Sequence, residues 1–330
     1  FASVEQATQL HLKGKPVITG AERGVVIAAS YEAKACGVER GMQVHEAKKV
    51  CPELIVVPSN YETYTLFSKR MFDIIRRFTP QVEEYSIDEA FADISGLRRL
   101  YRCSYAEIAQ KIKTAIESEL GITVSIGLSS TKSLAKLGSK FDKPSGLITI
   151  PGRDLEDFLA KNTIDKVWGF GRNSVALLHK QGIYTILDFI KRPHRLAVKL
   201  FGKIGSELWH ELSGTSVYPV DSVEKTTYAS ISKFKTFSPS SQDAEYVFAR
   251  LLRNLEKAIH RMRRFKLATK RIIVTLRTHA FRDHSLEITL SRATNAILDL
   301  VKPVKEHFDK LFEPGMRYRS TGIVLCDLKD

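Results

Sequence analysis

Tyr85-Ser86-Ile87-Asp88-Glu89-Ala90 sets two adjacent carboxylates, Asp88 and Glu89, where two apolar runs meet a turn. Carboxylates gathered at a strand end can hold Mg²⁺, a small ion that prefers oxygen ligands and keeps waters or substrate phosphates in its octahedron. Neighbouring side chains on a regular strand face opposite ways, so both reach one ion only if the turn reorients them or another ligand lies between. A solvated hairpin turn suits the same residues. Upstream, Tyr31 and Lys34 stand three apart after Ala28-Ala29-Ser30 and share one face of a short helix. A hydroxyl and an ammonium so placed can take phosphate oxygens, and an ordinary amphipathic turn with a solvated lysine shows the same pattern.

Two further sets point to an anion. Lys132, Lys136, Lys140 and Lys143 follow Ser129-Ser130-Thr131 and could line a phosphate path or a solvated basic helix face. Gly169-Phe170-Gly171 lies between helical stretches, flanked by the apolar Ile164, Val167, Leu177 and Leu178. A tight turn there aims backbone N–H groups outward, which fits a helix-hairpin-helix gripping a duplex backbone without reading its sequence. Near the end, Arg250, Arg253, Lys257, His260, Arg261, Arg263 and Arg264 crowd one helix, with Lys270 and Arg271 after it. Part of that set is solubilising surface.

The elements that must position these groups follow from periodicity. Residues 1–60 read as a small α+β segment: Pro16-Val17-Ile18 extended, Gly24–Ala29 a buried strand, and helical pieces at Tyr31–Ala35 and His45–Val50. Tyr64, Phe67, Met71, Ile74, Ile75 and Phe78 recur at helical spacing before Pro80. Val82–Tyr85 and Ala90–Ile94 pair around the carboxylates, and a helix over Ser104–Leu120 and a strand over Ile122–Leu128 follow. Within 61–150 this order suits a sheet covered on one face. Residues 151–217 are mostly helical, and 218–228, with Pro219, read as a linker. From 229 to 330 the order is β-α-β-β-α-β, a ferredoxin-like arrangement, with Pro303 expected to kink or restart the second helix.

Composition narrows the classes. The 330 residues carry 43% hydrophobic side chains, enough for two or more cored domains and incompatible with disorder throughout. The longest apolar run, Val25 to Ala29, is far short of the roughly 20 residues that span a bilayer, so no membrane partner is expected. Cys36, Cys51, Cys103 and Cys326 lie far apart without a C-x-x-C pair, which suggests neither zinc nor a disulfide framework and points to the cytoplasm. Phe1 has neither an initiator Met nor a leader before it, the look of a truncated chain. The formal net charge is +14, and residues 230–330 hold 20 Lys and Arg against 11 Asp and Glu, so a polyanion partner is expected.

Taken in order, Phe1-Ala2-Ser3-Val4-Glu5, Lys13-Gly14-Lys15-Pro16-Val17, Ser30-Tyr31-Glu32-Ala33, Tyr85–Ala90, Lys143-Pro144-Ser145-Gly146 and Gly169-Phe170-Gly171 resemble the Y-family translesion DNA polymerases of bacteria over nearly the whole chain. The resemblance implies an α+β right hand: small fingers at 1–60 with a remnant of the first palm segment, a ferredoxin-like palm at 61–150, a helix-hairpin-helix thumb at 151–217, and a little finger at 229–330. It also implies template-directed dNMP addition with pyrophosphate release, low fidelity and poor processivity. Asp88 would be a Mg²⁺ ligand and Glu89 the neighbouring catalytic carboxylate of a two-ion site. Tyr31, Lys34 and Lys143 would bind the triphosphate, and Phe1 would be the steric gate against a ribose 2′-hydroxyl. Lys132, Lys136, Gly169, Gly171, Arg261, Arg263 and Arg264 would meet DNA.

Primer-template DNA and dNTP are the implied partners of a monomer. A sliding clamp is a further one, although its usual C-terminal peptide is not evident in Cys326-Asp327-Leu328-Lys329-Asp330. Lys34 stands where the family has Arg and cannot supply the same bidentate fork. The family's first metal-binding Asp precedes the segment matching Phe1, so these 330 residues alone are expected to work orders of magnitude below the family's rate. A non-catalytic DNA-binding protein of the same fold is the alternative. An RNA-binding sheet is disfavoured because Ile272, Ile273, Val274 and Leu276, rather than paired aromatics, are expected on its strands.

Overall fold

The computed structural model describes residues 1–223 and 228–329, in two compact units, Phe1–Val223 and Glu224–Asp330. Unit 1 opens with α1 (Ala2–Thr8), β1 (Val17–Thr19), β2 (Ala28–Ala29), α2 (Tyr31–Ala35), α3 (Val44–Val50) and β3 (Ile55–Val57). β1 is central, antiparallel to β2 and parallel to β3, over a small core of Ile18, Val26, Ala33, Val38, Ala47 and Leu54. The strand expected over Gly24–Ala29 shrinks to Ala28–Ala29. Gly24 is left-handed, Val25 makes only an isolated bridge to Gln43, and the Val26 N–H bonds to Met42 instead of to a strand partner.

Next come α4 (Tyr61–Arg76), β4 (Val82–Ser86), β5 (Glu89–Ala92), α5 (Leu97–Tyr101), α6 (Tyr105–Leu120), β6 (Ile126–Leu128), α7 (Lys132–Ser139) and β7 (Leu147–Thr149). α4 starts where Asn60 accepts from the Thr63 N–H at 3.1 Å; α6 starts at a Ser104/Glu107 capping box and stops at left-handed Gly121. Ile74, Ile75, Ile108, Ile112 and Ile116 join Val82 in their shared core. β4 and β5 form an antiparallel hairpin, and β6 and β7 a separate parallel pair.

The helical stretch comprises α8 (Leu155–Ala160), α9 (Arg172–Lys180), α10 (Ile186–Lys191) and α11 (His194–Leu212), the last broken at Gly202. Its core includes Leu134 and Leu137 of α7, so α7 belongs to this core as much as to the sheet beside it. Glu211 is fully buried, and its carboxylate accepts from the Ser133 N–H at 3.0 Å, Val217 N–H at 2.7 Å and Tyr218 N–H at 3.0 Å. Of the segment read as a linker, 218–223 is tied into unit 1: Asp221 N–H donates to Glu83 and Ser222 Oγ to Gln81. Residues 224–227 lie outside the described residues.

Unit 2 contains β8 (Ser230–Ser241), α12 (Ala244–Arg264), β9 (Ala268–Thr278), β10 (Asp283–Thr294), α13 (Ile297–Leu311) and β11 (Tyr318–Lys329). The β-α-β-β-α-β order is realised in an antiparallel sheet ordered β10-β9-β11-β8, with the second and fourth strands central. Ile272, Val274 and Leu276 pack with α12 and α13 residues such as Leu251, Leu255 and Val304, so they are core and not a forward face. The other face carries Phe234, whose ring lies where a side chain on Gly322 would sit. α13 runs through Pro303 without a restart. No helix among the described residues is long and apolar enough to cross a membrane.

Candidate active site

The alternation problem posed by Asp88 and Glu89 is solved by the hairpin. Ser86 and Glu89 pair, Ile87 and Asp88 form the turn, and the register shifts between Glu84 and Ser86. Both carboxylates then line one cleft of about 310 Å³, shared with Tyr31, Lys136 and Lys143. Residues more than a hundred positions apart in sequence thus meet around two acidic side chains. The deeper wall is apolar, from Met71 and Ile75 of α4, Ile112 and Ile116 of α6, and Ile126 and Leu128 of β6. Ser86 Oγ donates to Asp88 Oδ1 at 2.9 Å, which steadies the turn and leaves the other oxygen open.

Each cationic wall has its own support. Gly127 on β6 faces α7, and a Cβ there would lie 1.9 Å from the Ala135 carbonyl oxygen, so only glycine lets α7 approach closely enough to place Lys136 in the cleft. Lys136 is 8% exposed, with Nζ 2.7 Å from Glu89 Oε1 and over the rings of Tyr85 at 4.9 Å and Trp168 at 5.3 Å. Lys132, one turn earlier, is paired with Glu83 and donates to the Pro219 carbonyl at 3.0 Å. These two lysines, read from sequence as part of a DNA path, are therefore turned inward by their ion pairs.

The loop bearing Lys143 is fastened to α6. Lys113 Nζ donates to Ser145 Oγ at 2.6 Å, and Ser145 Oγ donates to Glu117 Oε1 at 2.7 Å. Burial, and to a lesser extent the nearby charges of Lys136 and Lys143, lower the Lys140 ammonium pKa, with Glu89 opposing.

At the lip, α2 is capped by Ser30, whose Oγ accepts from the Ala33 N–H at 3.3 Å. Burial raises the Tyr31 hydroxyl pKa, and Lys34 Nζ sits 4.5 Å above its ring while remaining exposed. Lys34 does not line the cleft. Phe1 is half-buried, stacked on Tyr64 at 4.4 Å and edge-on to Tyr61 at 5.7 Å. The Tyr64 hydroxyl, raised by burial and by Glu5, donates to Glu5 Oε1 at 2.5 Å and fixes α1 to α4.

The other residues expected to meet DNA lie elsewhere. Gly169 has φ +103°, a conformation that favours glycine, and Phe170 between the two glycines is buried against Phe189 and Phe201. Gly171 is exposed at the N-terminus of α9, which has no side-chain cap. Arg261, Arg263 and Arg264 are exposed in the last turn of α12 in unit 2, with Arg263 Nε donating to the Asn295 carbonyl at 2.8 Å.

Sequence reasoning missed Glu83, Trp168 and Glu211. The signal for Glu211 was its place beside Leu208 and Leu212 on the apolar stripe of α11; for Glu83 and Trp168 no local pattern existed.

Comparison with known proteins follows the same division of the chain. Residues 1–140 match the impB/mucB/samB family, and residues 229–330 match the C-terminal domain of that family. DNA polymerase IV of Streptococcus pyogenes serotype M12 (strain MGAS2096) is 34% identical, over 100% of this chain and 92% of that protein. The DNA polymerase IV of S. pyogenes serotype M1 is 33% identical with the same coverage. Among solved structures, a Y-family DNA polymerase chimera of Dbh and Dpo4 aligns with a TM-score of 0.84 at 26% identity, covering 99% of this chain and 96% of that one. An insertion ternary complex of Dbh DNA polymerase aligns at 0.64 and 25% identity, covering 99% and 95%. The chain belongs to the Y-family DNA polymerases, the impB/mucB/samB family.

Proposed function

We propose that this chain adds dNMP to a primer 3′-hydroxyl under template direction and releases pyrophosphate, as a cytoplasmic translesion polymerase of low fidelity and low processivity. The observation that carries the reading is the cleft in which Asp88 and Glu89 face Tyr31 and Lys143. Acidic oxygens for a cation and donors for a triphosphate stand together there.

The donor set fits Mg²⁺. Asp88 and Glu89 offer hard carboxylate oxygens, and this ion is commonly held by one or two carboxylates with substrate phosphates and waters completing its shell. Bound there, a pair of such ions supplies the positive charge that stabilises an in-line displacement at the α-phosphate.

The chain's own side chains do the holding. Lys143, on its fastened loop, and the Tyr31 hydroxyl donate to triphosphate oxygens, and Lys34 at the lip adds a flexible third charge. Phe1, immobilised by its stack on Tyr64, blocks the space a ribose 2′-hydroxyl needs. The segments before Asn60 form no helix longer than seven residues, so little structure closes over the base pair and mismatched or damaged templates are tolerated. The uncapped N-terminus of α9 grips backbone phosphate, and Arg261, Arg263 and Arg264 add sequence-independent attraction. One chain carries all of these groups and acts as a monomer.

The test is primer extension with Mg²⁺ and single dNTPs, alongside primer-template binding. Extension that disappears in Asp88→Ala and Glu89→Ala while binding persists supports the reading. Binding without extension, in a form that also carries the preceding segment with the family's first metal-binding Asp, would replace it with a non-catalytic DNA-binding role.

A further inference from the structure

We propose that Lys136 is a positioning residue that holds Glu89 when the carboxylate carries no divalent cation, and releases it only when cation and nucleotide arrive together. The inference rests on the reading of Glu89 as a carboxylate that holds Mg²⁺.

Lys132 and Lys136 lie one turn apart on α7, and both are inward-facing ammonium groups paired with a glutamate. Their surroundings differ. Lys132 also donates to the Pro219 carbonyl, and its partner Glu83 also accepts from the Asp221 N–H at 2.9 Å and is only 16% exposed. That pair is enclosed and satisfied on both sides, a structural clasp. Lys136 is walled by the aromatic rings of Tyr85, Phe91 and Trp168, and its ion-pair partner is Glu89. Glu89 is 46% exposed and opens into the cleft. This pair is exchangeable on the glutamate side alone.

A cation that takes Glu89 leaves the Lys136 ammonium buried with only ring faces to neutralise it. Ring faces attract an ammonium weakly compared with a carboxylate, and an unpaired buried charge is strongly disfavoured. The cation by itself is therefore opposed. A triphosphate in the same cleft changes the balance, because a phosphate oxygen can replace Glu89 as the counter-anion of Lys136 while Glu89 turns to the cation. Cation and nucleotide then bind with positive coupling, by the same factor in either order. Trp168, 5.3 Å from the ammonium, senses the exchange.

The test titrates Mg²⁺ into the complete chain by calorimetry, with and without a dNTP analogue bearing a non-cleavable α,β-bridge. In Lys136→Met the affinity for Mg²⁺ alone is expected to rise about tenfold, and the coupling with the analogue, of the usual 5- to 150-fold range, to fall towards one. Lys136→Arg should restore both values towards those of the parent. Unchanged or weaker Mg²⁺ binding by folded Lys136→Met, with coupling intact, overturns the proposal. If Lys136→Met does not fold, the parent chain decides in a Trp209→Phe background: Trp168 emission should shift when Mg²⁺ and analogue are added together and not with Mg²⁺ alone, and a shift with Mg²⁺ alone overturns the proposal. Glu89→Gln separates the two levels of inference. If it leaves Mg²⁺ binding untouched, the metal-holding reading of Glu89 fails; if it weakens binding while Lys136→Met changes nothing, only the role of Lys136 fails.

Discussion

Unit 2 is built from four strands of 11 or 12 residues and helices of 21 and 15 residues over one continuous core. Unit 1 has strands of two to five residues, with its apolar side chains divided among three smaller clusters. Long strands satisfy their backbone along the ladder and leave few ends. Short ones end often, and every end needs a side chain to finish it. The cleft lies where such ends converge: the β4–β5 turn, the start of α2, one face of α7 and the loop after it. Unit 2 offers breadth of charge, whereas unit 1 offers placed groups.

The contrast breaks down if the placed groups are dispensable. Asp88→Ala is expected to reduce single-nucleotide incorporation about a thousandfold or more, the several kcal/mol that ion-borne charge stabilisation supplies. Because Asp88 is exposed in a turn, its thermal midpoint should match the parent's. A variant that loses both activity and stability would make the turn structural.

Glu211 sharpens the same contrast through stability. Glu211→Ala leaves the N–H groups of Ser133, Val217 and Tyr218 without their buried acceptor, and the unfolding free energy of unit 1 should fall by about 3 kcal/mol. Both tryptophans, Trp168 and Trp209, lie in unit 1, so their emission during denaturant unfolding reports that unit and should show the change.

A smaller effect is expected for the diffuse charge of unit 2. Replacing Arg261, Arg263 and Arg264 together with Gln should flatten the salt dependence of primer-template binding by about 0.9 in log–log slope for each phosphate no longer neutralised. Affinity should drop equally across sequences. An unchanged slope removes the end of α12 from the DNA interface.

The smallest concerns a helix cap. The backbone N–H of Thr185 is the largest influence holding the Asp188 carboxyl below its ordinary value, with the Thr185 side chain and the Tyr184 N–H adding to it and burial opposing. A carboxyl depressed in the folded state stabilises it above the ordinary aspartate value of about 3.9, and that contribution fades as pH falls through the lower folded value. Asp188→Asn should therefore cost about 1 kcal/mol at neutral pH and progressively less in acid, measured by thermal melts at stepped pH.

Legibility in the sequence followed the same division. In unit 2, alternating apolar residues and the stripe of α12 announced the order of elements, because long elements repeat their period often enough to be read. What they left open was which strands sit in the middle, since that depends on pairings between residues far apart. In unit 1, type and spacing drew attention to Asp88, Glu89, Tyr31 and Lys143, while their roles came from the family resemblance. The inward turn of Lys132 and Lys136 was hidden because it depends on Glu83 and Glu89, which lie nearly fifty residues earlier on another element. Gly127, which admits α7 so closely, carries no local mark that separates it from any strand glycine.

Leu134 and Leu137 of α7 lie in the helical core, while Lys136 of the same helix reaches Glu89. Anyone exchanging modules between relatives meets this directly. A seam at residue 150 would cut through that core and part Glu211 from the Ser133 N–H, whereas a graft beginning at Ser130 keeps α7 with the helical core and parts it from Glu83 and Glu89. The buried Glu211 carboxylate thus ties the helices to α7 across the change from sheet to helices.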